Sequence, residues 1–347
     1  MPATIRDLAK HCGLSVSAVS KALNGYSDIS DATRAAVQRA ARELDYHPNA
    51  HARALKSGRS YNLGVLFSDD SQSGLTHPFF SVVLEHFKKE AEKSGYDITF
   101  IGHRMGEGRF TFLDHCRYRE VDGVCVACIH FEDEEVQRLA QSDLPLVSID
   151  HAFENRLCVC SDNTEGMRQL VQYVYRQGHR KIAYIHGPSS TVSNVRLAAF
   201  YHTMEQLQAP VPDRYIGQCG YTNPQIAYEA TKHMLDQADA PTCILLCDDF
   251  SVTGAMRAAQ KAGLRVPEDL SIAGFDGIDQ MQNFYPRLTT IRQDAAALGI
   301  ESARRLIALI EQPDQVQMGL CTIPCTLIPG QTVAAPARKE YEGVFLN

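Results

Sequence analysis

The stretch TIRDLAKHCGLSVSAVSKALNG, Thr4 to Gly25, predicts two short helices joined by a tight turn. Thr4 is a good N-cap, and apolar residues recur at helical spacing after it, up to Cys12. Gly13 suits the turn that ends the first helix, and Ser15 suits the N-cap of the second. Two helices joined by about three residues that include a glycine form a helix-turn-helix.

A third helix follows, with Ser30 as its N-cap and its end near Leu44. On the second helix, the face opposite the apolar side carries Val16, Ser17, Ser20 and Lys21. Small, hydroxyl-bearing and cationic side chains on such a face allow close approach to base edges and phosphates. The pattern favours a DNA-binding head over a solvated helical bundle without a ligand.

The charge distribution agrees with an anionic partner for this head. Residues 1–60 hold nine Lys/Arg and five Asp/Glu, a net charge of +4, so the rest of the 347-residue chain carries −11 within a total of −7. On composition alone, a basic head on an acidic body fits nucleic acid or a membrane surface. The N-terminus lacks the apolar core of a signal peptide, and the chain has no run of about 18 apolar residues, so we expect no membrane span.

The eleven cysteines are scattered through predicted strands and helices, and without an export signal we expect reduced thiols in the cytoplasm. Cys125 and Cys128 have the spacing of half a zinc site, but no second pair completes a tetrahedral site. We therefore predict structural thiols, no metal and no cofactor. The motifs GxSxG, HExxH and GxGxxG and the phosphate-binding loop are missing from the sequence, so we expect no catalytic residue.

Residues 62–335 alternate apolar runs with helical stretches, which is typical of doubly wound α/β domains. The apolar runs predict buried parallel strands at Leu63–Phe67, Ile98–Ile101, Val121–Ala127, Leu146–Ile149, Lys181–Ile185, Cys243–Cys247 and Ser271–Gly274. The predicted helices between them include Phe80–Lys93, Thr164–Gln177, Asn223–Asp236 and Phe250–Ala262. This length is sufficient for two such subdomains.

Polar side chains follow several of these strands. Asp150, Asp248 and Asp276 each come directly after an apolar run, and Arg196 lies beyond another. Because such sheets bind ligands beyond the carboxyl ends of their strands, we expect a small-molecule site there. Each residue also has a structural interpretation, since the carboxylates can cap the helices that follow and Arg196 can be a surface cation.

The chain resembles the LacI/GalR family of bacterial transcription repressors. The resemblance begins in the helix-turn-helix and continues, in the family's order, through ISDATRAAVQRAARELDYHPNAHARALKSGRSYNLGVLF, HPFF, VDGV, LPLVSID, DNTEG, QGHRKIAYIHGP, RLAAF, GLRVPEDLSIAGFD and PRLTTIRQD. It covers about residues 3–335. It implies an all-α head with a hinge helix, followed by two doubly wound parallel α/β subdomains of the periplasmic-binding-protein-like type I fold.

The resemblance also implies domain limits along the chain. These are a head at 1–48, a hinge helix and linker at 49–60, an N-terminal core subdomain at 61–160 and 293–323, a C-terminal core subdomain at 161–292 and 324–336, and a tail at 337–347. The tail lies outside the resemblance.

In the family, the second helix lies in the major groove. By resemblance, Val16, Ser17 and Lys21 read bases, and Ser15, Ser20 and Asn24 contact the DNA backbone. Lys21 suits guanine acceptors or a phosphate. The family often has Arg or His at this position, so we expect a different operator preference.

The segment from Asn49 to Ser57 is shorter than the ~12–15 residues that an isolated helix needs in water. We expect it to fold only when two copies meet on DNA. Leu55 falls on the family position whose leucine wedges into the minor groove at the operator centre. Arg53 and Lys56 suit phosphates, and Asn49 is a further expected DNA contact. The alternative is a flexible linker with an isolated leucine.

The resemblance places a small effector between two lobes. Its expected contacts are Phe79, Asp150, Arg196, Tyr221, Asp248 and Asp276. Carboxylates and arginine can bind sugar hydroxyls while an aromatic ring covers the apolar face of the sugar. The family usually has Asn-Asp where this chain has Asp248-Asp249, and Asp-Asp where it has Asp276-Gly277. Because an extra carboxylate disfavours an anion, we expect a neutral sugar, with a nucleoside, an amino sugar or a sugar acid as alternatives.

The sequence thus predicts an effector-controlled repressor of a carbohydrate-use operon. We expect a homodimer or larger homo-oligomer on a near-palindromic operator, because one recognition helix reads too few bases. A solute-binding protein would instead have an export signal and no basic head. An enzyme acting on a sugar or nucleotide would need a nucleophile, a metal site or a cofactor loop.

Overall fold

The computed structural model describes residues 3–23, 26–47, 58–68, 74–105, 108–283 and 285–336. They fall into two compact units, a head within residues 1–61 and a core within residues 62–347. No helix of these ranges is long and apolar enough to cross a membrane.

The head contains three helices, α1 (Ile5–Cys12), α2 (Val16–Leu23) and α3 (Asp31–Glu43). Local capping sets their ends, because side-chain oxygens satisfy backbone N–H groups that have no partner within the helix. Thr4 caps α1, and the Oγ atoms of Ser15 and Ser30 accept from backbone N–H groups at 3.1 and 3.2 Å. Gly13 ends α1 with φ of +63°. The predicted helix-turn-helix is confirmed.

The apolar faces of the three helices meet in a small core. It consists of Leu8, Ala9, Val19, Ala22, Val37 and Ala40, with partly buried apolar side chains around it. Because Val19 and Ala22 point inward, the other face of α2 is left to solvent.

The core unit contains nine helices within the described ranges: α4 (Phe80–Lys93), α5 (Phe112–Tyr118), α6 (Glu134–Gln141), α7 (Asn163–Arg176), α8 (Thr191–Gln206), α9 (Pro224–Leu235), α10 (Asp249–Lys261), α11 (Asp279–Gln282) and α12 (Ala295–Glu311). Its described strands are β1 (Asn62–Phe67), β2 (Asp97–Ile101), β3 (Arg104–Met105), β4 (Gly108–Arg109), β5 (Gly123–Ala127), β6 (Leu146–Ile149), β7 (Leu157–Ser161), β8 (Ile182–His186), β9 (Ile216–Gln218), β10 (Cys243–Leu246), β11 (Ser271–Asp276), β12 (Thr289–Gln293), β13 (Gly319–Ile323) and β14 (Cys325–Ile328).

These strands build two large sheets. The sheet of the first lobe has the order β13-β7-β6-β5-β1-β2 and is parallel throughout. The sheet of the second lobe has the order β14-β12-β11-β10-β8-β9 and is parallel except where β14 pairs with β12. Helices pack on these sheets, which confirms two doubly wound α/β units.

The chain passes between the lobes three times, between β7 and α7, between β12 and α12, and between β13 and β14. The passages lie side by side, since Ser161 pairs with Ile323 and Gln293 pairs with Cys325. The backbone N–H of Asp162 also donates to the carbonyl of Ile323, at 2.8 Å.

All seven strands and four helices predicted for the core are present, with ends that differ by at most two residues. The acidic first turn of α6 follows the N-cap Asp133, as the helix dipole favours. The cysteines of β7, β13 and β14 are strand-like in the sequence, whereas β3, β4, β9 and β12 were not among the predicted strands.

Candidate DNA-binding and effector sites

The exposed face of α2 carries the residues predicted to meet DNA. Ser15, Val16 and Ser17 are exposed, and Val16 has 41% of its surface exposed although it is apolar. Ser15 also uses its hydroxyl to cap α2, accepting from the N–H of Ala18. Ser20 is half-buried on the same helix. The predicted contacts Asn24, Asn49, Arg53, Leu55 and Lys56 lie outside the described residues.

Lys21, the cation of α2, has a partner that the sequence did not predict. Its Nζ donates to a carboxylate oxygen of Asp28, in the turn before α3. This hydrogen bond raises the pKa of Lys21 and lowers the pKa of Asp28. Both side chains are about half exposed, so the pair lies on the surface of the head.

In the core unit, Arg196 on α8 is buried, with 3% of its surface exposed, and the surface-cation interpretation is wrong. Its Nε donates to Oδ1 of Asn163 at 2.7 Å, and Nη1 donates to the carbonyl of Cys247 at 3.0 Å. The guanidinium lies over the ring of Phe275, with Cζ 3.6 Å from the ring centroid. A buried cation needs charge partners, and Asp150, Tyr221 and Asp276 interact with it electrostatically. We call these four residues the Arg196 cluster.

Asp150 reaches this cluster from the first lobe, directly after β6, with a left-handed backbone (φ +66°). Its buried Oδ1 has no hydrogen-bond partner in the described structure. Burial raises the pKa of Asp150 to about 6, although Arg196 and the backbone N–H of Ser161 act in the opposite direction. A ligand that donates to this carboxyl would satisfy it.

Asp276 ends β11 in the second lobe, where its φ of +119° is strained for a residue with a side chain. Gln293 donates to Oδ1 at 2.6 Å. Burial raises the pKa of Asp276, and Arg196 partly offsets the increase. Strained backbone is most often found at functional sites, where surrounding structure holds it in place.

Asp248 is the N-cap of α10, as its structural interpretation predicts. Oδ1 accepts from the N–H of Ser251 at 2.7 Å, and Oδ2 accepts from the Ser251 hydroxyl at 2.8 Å. Oδ2 also accepts from the N–H of Thr222 at 3.0 Å. Only 2% of the surface of Asp248 is exposed. Because it bonds to both Thr222 and Ser251, Asp248 ties the loop that carries Tyr221 to the start of α10.

The next residue, Asp249, stands where the family also has an aspartate, so the extra carboxylate of this chain is Asp248. Asp249 is fully buried, and it accepts from the Thr290 hydroxyl at 2.6 Å and from the N–H of Ile278 at 2.8 Å. A Cβ at position 274 would lie 2.3 Å from Oδ1, so Gly274 makes room for it. Burial raises the pKa of Asp249 to about 7. Asp249 therefore joins α10 to the sheet of the second lobe. The extra carboxylate, Asp248, already accepts from Ser251 and Thr222, and its expected effect on anionic effectors stays a prediction.

The Tyr221 hydroxyl lies 2.8 Å from Oγ of Ser193, and burial raises the pKa of Tyr221 to about 12. A Cβ at Gly187 would lie 2.5 Å from Cζ of this ring, so only glycine leaves the ring in place. Phe79 precedes α4 in the first lobe and is mostly buried, with its ring 5.2 Å from that of Phe80 in an edge-to-face contact. The contact between Phe79 and Phe80 is ordinary core packing.

Comparison with known proteins gives the relatives of this chain. Residues 4–49 match the family model of bacterial regulatory proteins, lacI family, and residues 171–333 match the periplasmic binding protein-like domain. The HTH-type transcriptional repressor PurR of Escherichia coli O139:H28 (strain E24377A / ETEC) is 31% identical over 350 residues, which cover 98% of this chain and 99% of that protein.

The chain belongs to the LacI family.

This LacI-family chain is also 30% identical to the PurR repressor of Salmonella arizonae (strain ATCC BAA-731 / CDC346-86 / RSK2980), over 98% of its length and 99% of that protein. It is a DNA-binding transcriptional regulator. The named relatives are transcriptional repressors rather than enzymes, which confirms the prediction of a regulator over an enzyme.

Solved structures show the same architecture as this LacI-family regulator. The lac repressor dimer bound to operator and the anti-inducer ONPF superimposes with a TM-score of 0.79 and 27% identity, covering 96% of this chain and 100% of that one. The complex of the regulator CelR with cellobiose superimposes with a TM-score of 0.69, covering 95% and 99% of the two chains. At 24% identity, the second comparison shows the fold alone.

Three buried hydroxyl groups of this LacI-family regulator lie near the candidate effector site and were not predicted from the sequence. The buried hydroxyl oxygens of Ser161, Tyr184 and Thr222 have no hydrogen-bond partner within the described residues. Tyr184 interacts electrostatically with Arg196 and Tyr221. Because nearly all buried polar groups are paired, such groups beside a candidate site need an explanation. A tyrosine within a buried strand reads as core packing, so no sequence signal identifies it.

All eleven cysteines of the LacI-family chain are free. Sγ of Cys219 lies 3.2 Å from Sγ of Cys247, but these residues follow β9 and β10, which flank β8 on opposite sides. Neighbouring strands lie about 4.8 Å apart, so a disulfide would require backbone movement. Burial raises the pKa of Cys247, which disfavours the reactive thiolate.

Proposed function

We propose that this LacI-family regulator is an effector-controlled repressor of a carbohydrate-use operon. The observation that carries the proposal is the Arg196 cluster, a buried cation and two carboxyls at strand ends with positive φ, in a chain with a helix-turn-helix head. Asp150 comes from the first lobe, and the other three members come from the second. A ligand that bridges them therefore changes how the two lobes attract each other.

On the DNA side, we assign base reading to Val16, Ser17 and Lys21 on the exposed face of α2. An apolar Val16 suits a thymine methyl, and Ser17 bonds to several base edges and so discriminates weakly. Ser15, Ser20 and Asn24 contact the backbone. Two copies of the chain bind a near-palindromic operator, because one helix reads too few bases. The described lac repressor complex is likewise a dimer on its operator.

The proposed effector is a small neutral molecule rich in hydroxyl groups, with a sugar as the leading class. Two carboxyls interact electrostatically with Arg196, so the cluster offers little excess positive charge to an anion. The raised pKa values of Asp150 and Asp276 show that each carboxylate is poorly stabilised by the protein, so each gains from a donated hydroxyl. Tyr221 supplies the aromatic surface, Asp248 holds the loop that carries it, and Phe79 is proposed as a further aromatic contact from the first lobe.

The segment Asn49–Ser57 couples the two functions in this proposal. Its leucine, Leu55, enters the minor groove at the operator centre, and Arg53 and Lys56 bind phosphates. A change of the angle between the lobes alters the spacing of the two segments in a dimer. The effector thereby changes operator affinity by a coupling free energy.

Selection from random double-stranded DNA tests the DNA assignment. We expect the full chain to enrich a near-palindromic motif, and Lys21→Ala to change the preferred base at one position in each half-site. An unchanged motif contradicts base reading by Lys21. A single half-site without symmetry contradicts the homodimer.

A thermal-shift screen of neutral sugars, sugar acids and nucleosides tests the effector class. We expect a neutral sugar to give the largest stabilisation, and Asp276→Ala to abolish it while DNA binding persists. Asp314→Ala, an exposed carboxylate change in the same unit, is the matched control. A largest shift from a sugar acid or a nucleoside would mean that the neutral-sugar assignment is wrong.

A further inference from the structure

The ion pair between Lys21 and Asp28 lies on the surface of the head that the proposed function gives to DNA. Lys21 is the only cation of α2, within the range Val16–Leu23. Asp28 lies beyond the end of α2, and two backbone hydrogen bonds fix the turn that carries it. The N–H of Tyr26 donates to the carbonyl of Lys21 at 3.1 Å, and the N–H of Ile29 donates to the carbonyl of Tyr26 at 3.3 Å.

The pair contributes little to the folding of the head. Both side chains are about half exposed, and exposed ion pairs are weakened by water and salt. The helix caps and the buried apolar cluster already account for the three-helix structure. A carboxylate on a DNA-facing surface also repels phosphates. Its position next to the only cation of α2 therefore needs a reason other than stability.

The chemistry of the lysine side chain supplies that reason. An ammonium group has three N–H donors, and Asp28 occupies one of them. The pair is almost neutral as a unit, so a DNA phosphate gains little from approaching it. The side chain also loses much of its rotamer freedom before DNA arrives. Two donors remain for the O6 and N7 acceptors of one guanine in the major groove.

We infer that Asp28 is a specificity-determining residue that positions Lys21 to read a guanine instead of binding a phosphate. The inference rests on the proposed function, because it requires α2 to lie in the major groove. Asp28 acts through Lys21 and not by its own contact with DNA. Without its carboxylate, Lys21 is a mobile point charge that binds phosphates without regard to sequence.

The test is selection from random double-stranded DNA with the full chain and with Asp28→Asn, Lys21→Ala and the double variant. For Asp28→Asn we expect the preference for guanine at the Lys21 position to fall at least about fivefold. We also expect tighter binding to non-specific duplex DNA. The plot of log affinity against log salt concentration steepens by about one, because one more phosphate is contacted.

Asp31→Asn is the matched control, because it removes the same charge from an exposed carboxylate of the head, paired with Arg34. We expect it to leave the motif unchanged. If Asp28→Asn also leaves the motif unchanged, the inference is wrong. If Asp28→Asn alters the motif equally in the Lys21→Ala background, Asp28 contacts a base itself and the positioning role is wrong. If the unmutated chain enriches no motif at all, the proposed function fails first.

Discussion

The guanidinium of Arg196 stacks on the ring of Phe275, with Cζ 3.6 Å from the ring centroid. Phe275 is fully buried on β11, so the apolar core of the second lobe sets the position of this cation. Its partner Asp150 follows β6 in the first lobe. A cation fixed by one lobe therefore interacts electrostatically with a carboxyl carried by the other, which makes their attraction sensitive to the relation between the lobes.

Arg196→Met keeps most of the packing on Phe275 and removes the charge. We expect the unfolding free energy at pH 8 to fall by about 3 kcal/mol, because Asp150 and Asp276 lose their cation. The loss is smaller at pH 5, where the raised pKa values let these carboxyls bind protons. Urea denaturation at both pH values measures it, with exposed Arg176→Met as the control. Equal losses at the two pH values would exclude the carboxyls as the cause.

The effect of Asp150→Asn on the free energy of unfolding is predicted to depend on pH. Burial raises the pKa of Asp150 from 3.8 to about 6, so the folded chain binds this proton more tightly than the unfolded chain. The stabilisation that comes from this tighter proton binding is complete below pH 4 and is lost as the pH rises through 6. We expect the variant to have the higher free energy of unfolding at pH 8, by about 3 kcal/mol, and so the higher melting temperature, with no advantage below pH 4. Asp314→Asn should show no such crossover in the same thermal scans.

Tyr184→Phe removes a fully buried hydroxyl that has no partner in the described structure. Leaving such a group unpaired costs about 1–3 kcal/mol, so we expect the effector-free variant to be more stable by about 1 kcal/mol. Tyr215→Phe is the matched control, because that hydroxyl donates to the carbonyl of Asp239 at 3.0 Å. The control should lose stability. A loss of stability in both variants would show that Tyr184 is a structural hydrogen-bonding residue.

Leu55→Ala tests the proposed wedge. The side chain would unstack a base step at the operator centre, at a cost of a few kcal/mol that the bent complex recovers. We expect at least about tenfold weaker operator binding and a smaller bend, because the recovered contacts depend on that bend. Gel mobility with circularly permuted operator fragments measures both. Binding and bending that match the unmutated chain would support a flexible linker instead.

The sequence predicts the head well because its signals are local. The N-caps Thr4, Ser15 and Ser30 each mark a helix start, and each cap forms its expected hydrogen bond. The core strands with long apolar runs are predicted equally well from the sequence. Very short strands such as β3 (Arg104–Met105) and β9 (Ile216–Gln218) have mixed or polar sequences. Pairing with another strand creates each of them, so no local pattern predicts them.

The direction of individual side chains is harder to predict from the sequence. Asp248 and Asp249 are adjacent and chemically identical, yet one caps α10 and the other binds Thr290 in the interior of the second lobe. Which carboxylate faces a ligand depends on the turn between β10 and α10. The partner of Lys21 is likewise set by the turn that carries Asp28, seven residues along the chain.

The three passages between the lobes restrict how the core unit can move. They lie next to one another, joined by the pairing of Ser161 with Ile323 and of Gln293 with Cys325. Rotation of one lobe about the line through these passages bends all three together. Twisting about a perpendicular axis would stretch at least one of them and break ladder hydrogen bonds. If an effector binds at the Arg196 cluster as proposed, the core unit has essentially one angle with which to respond to it.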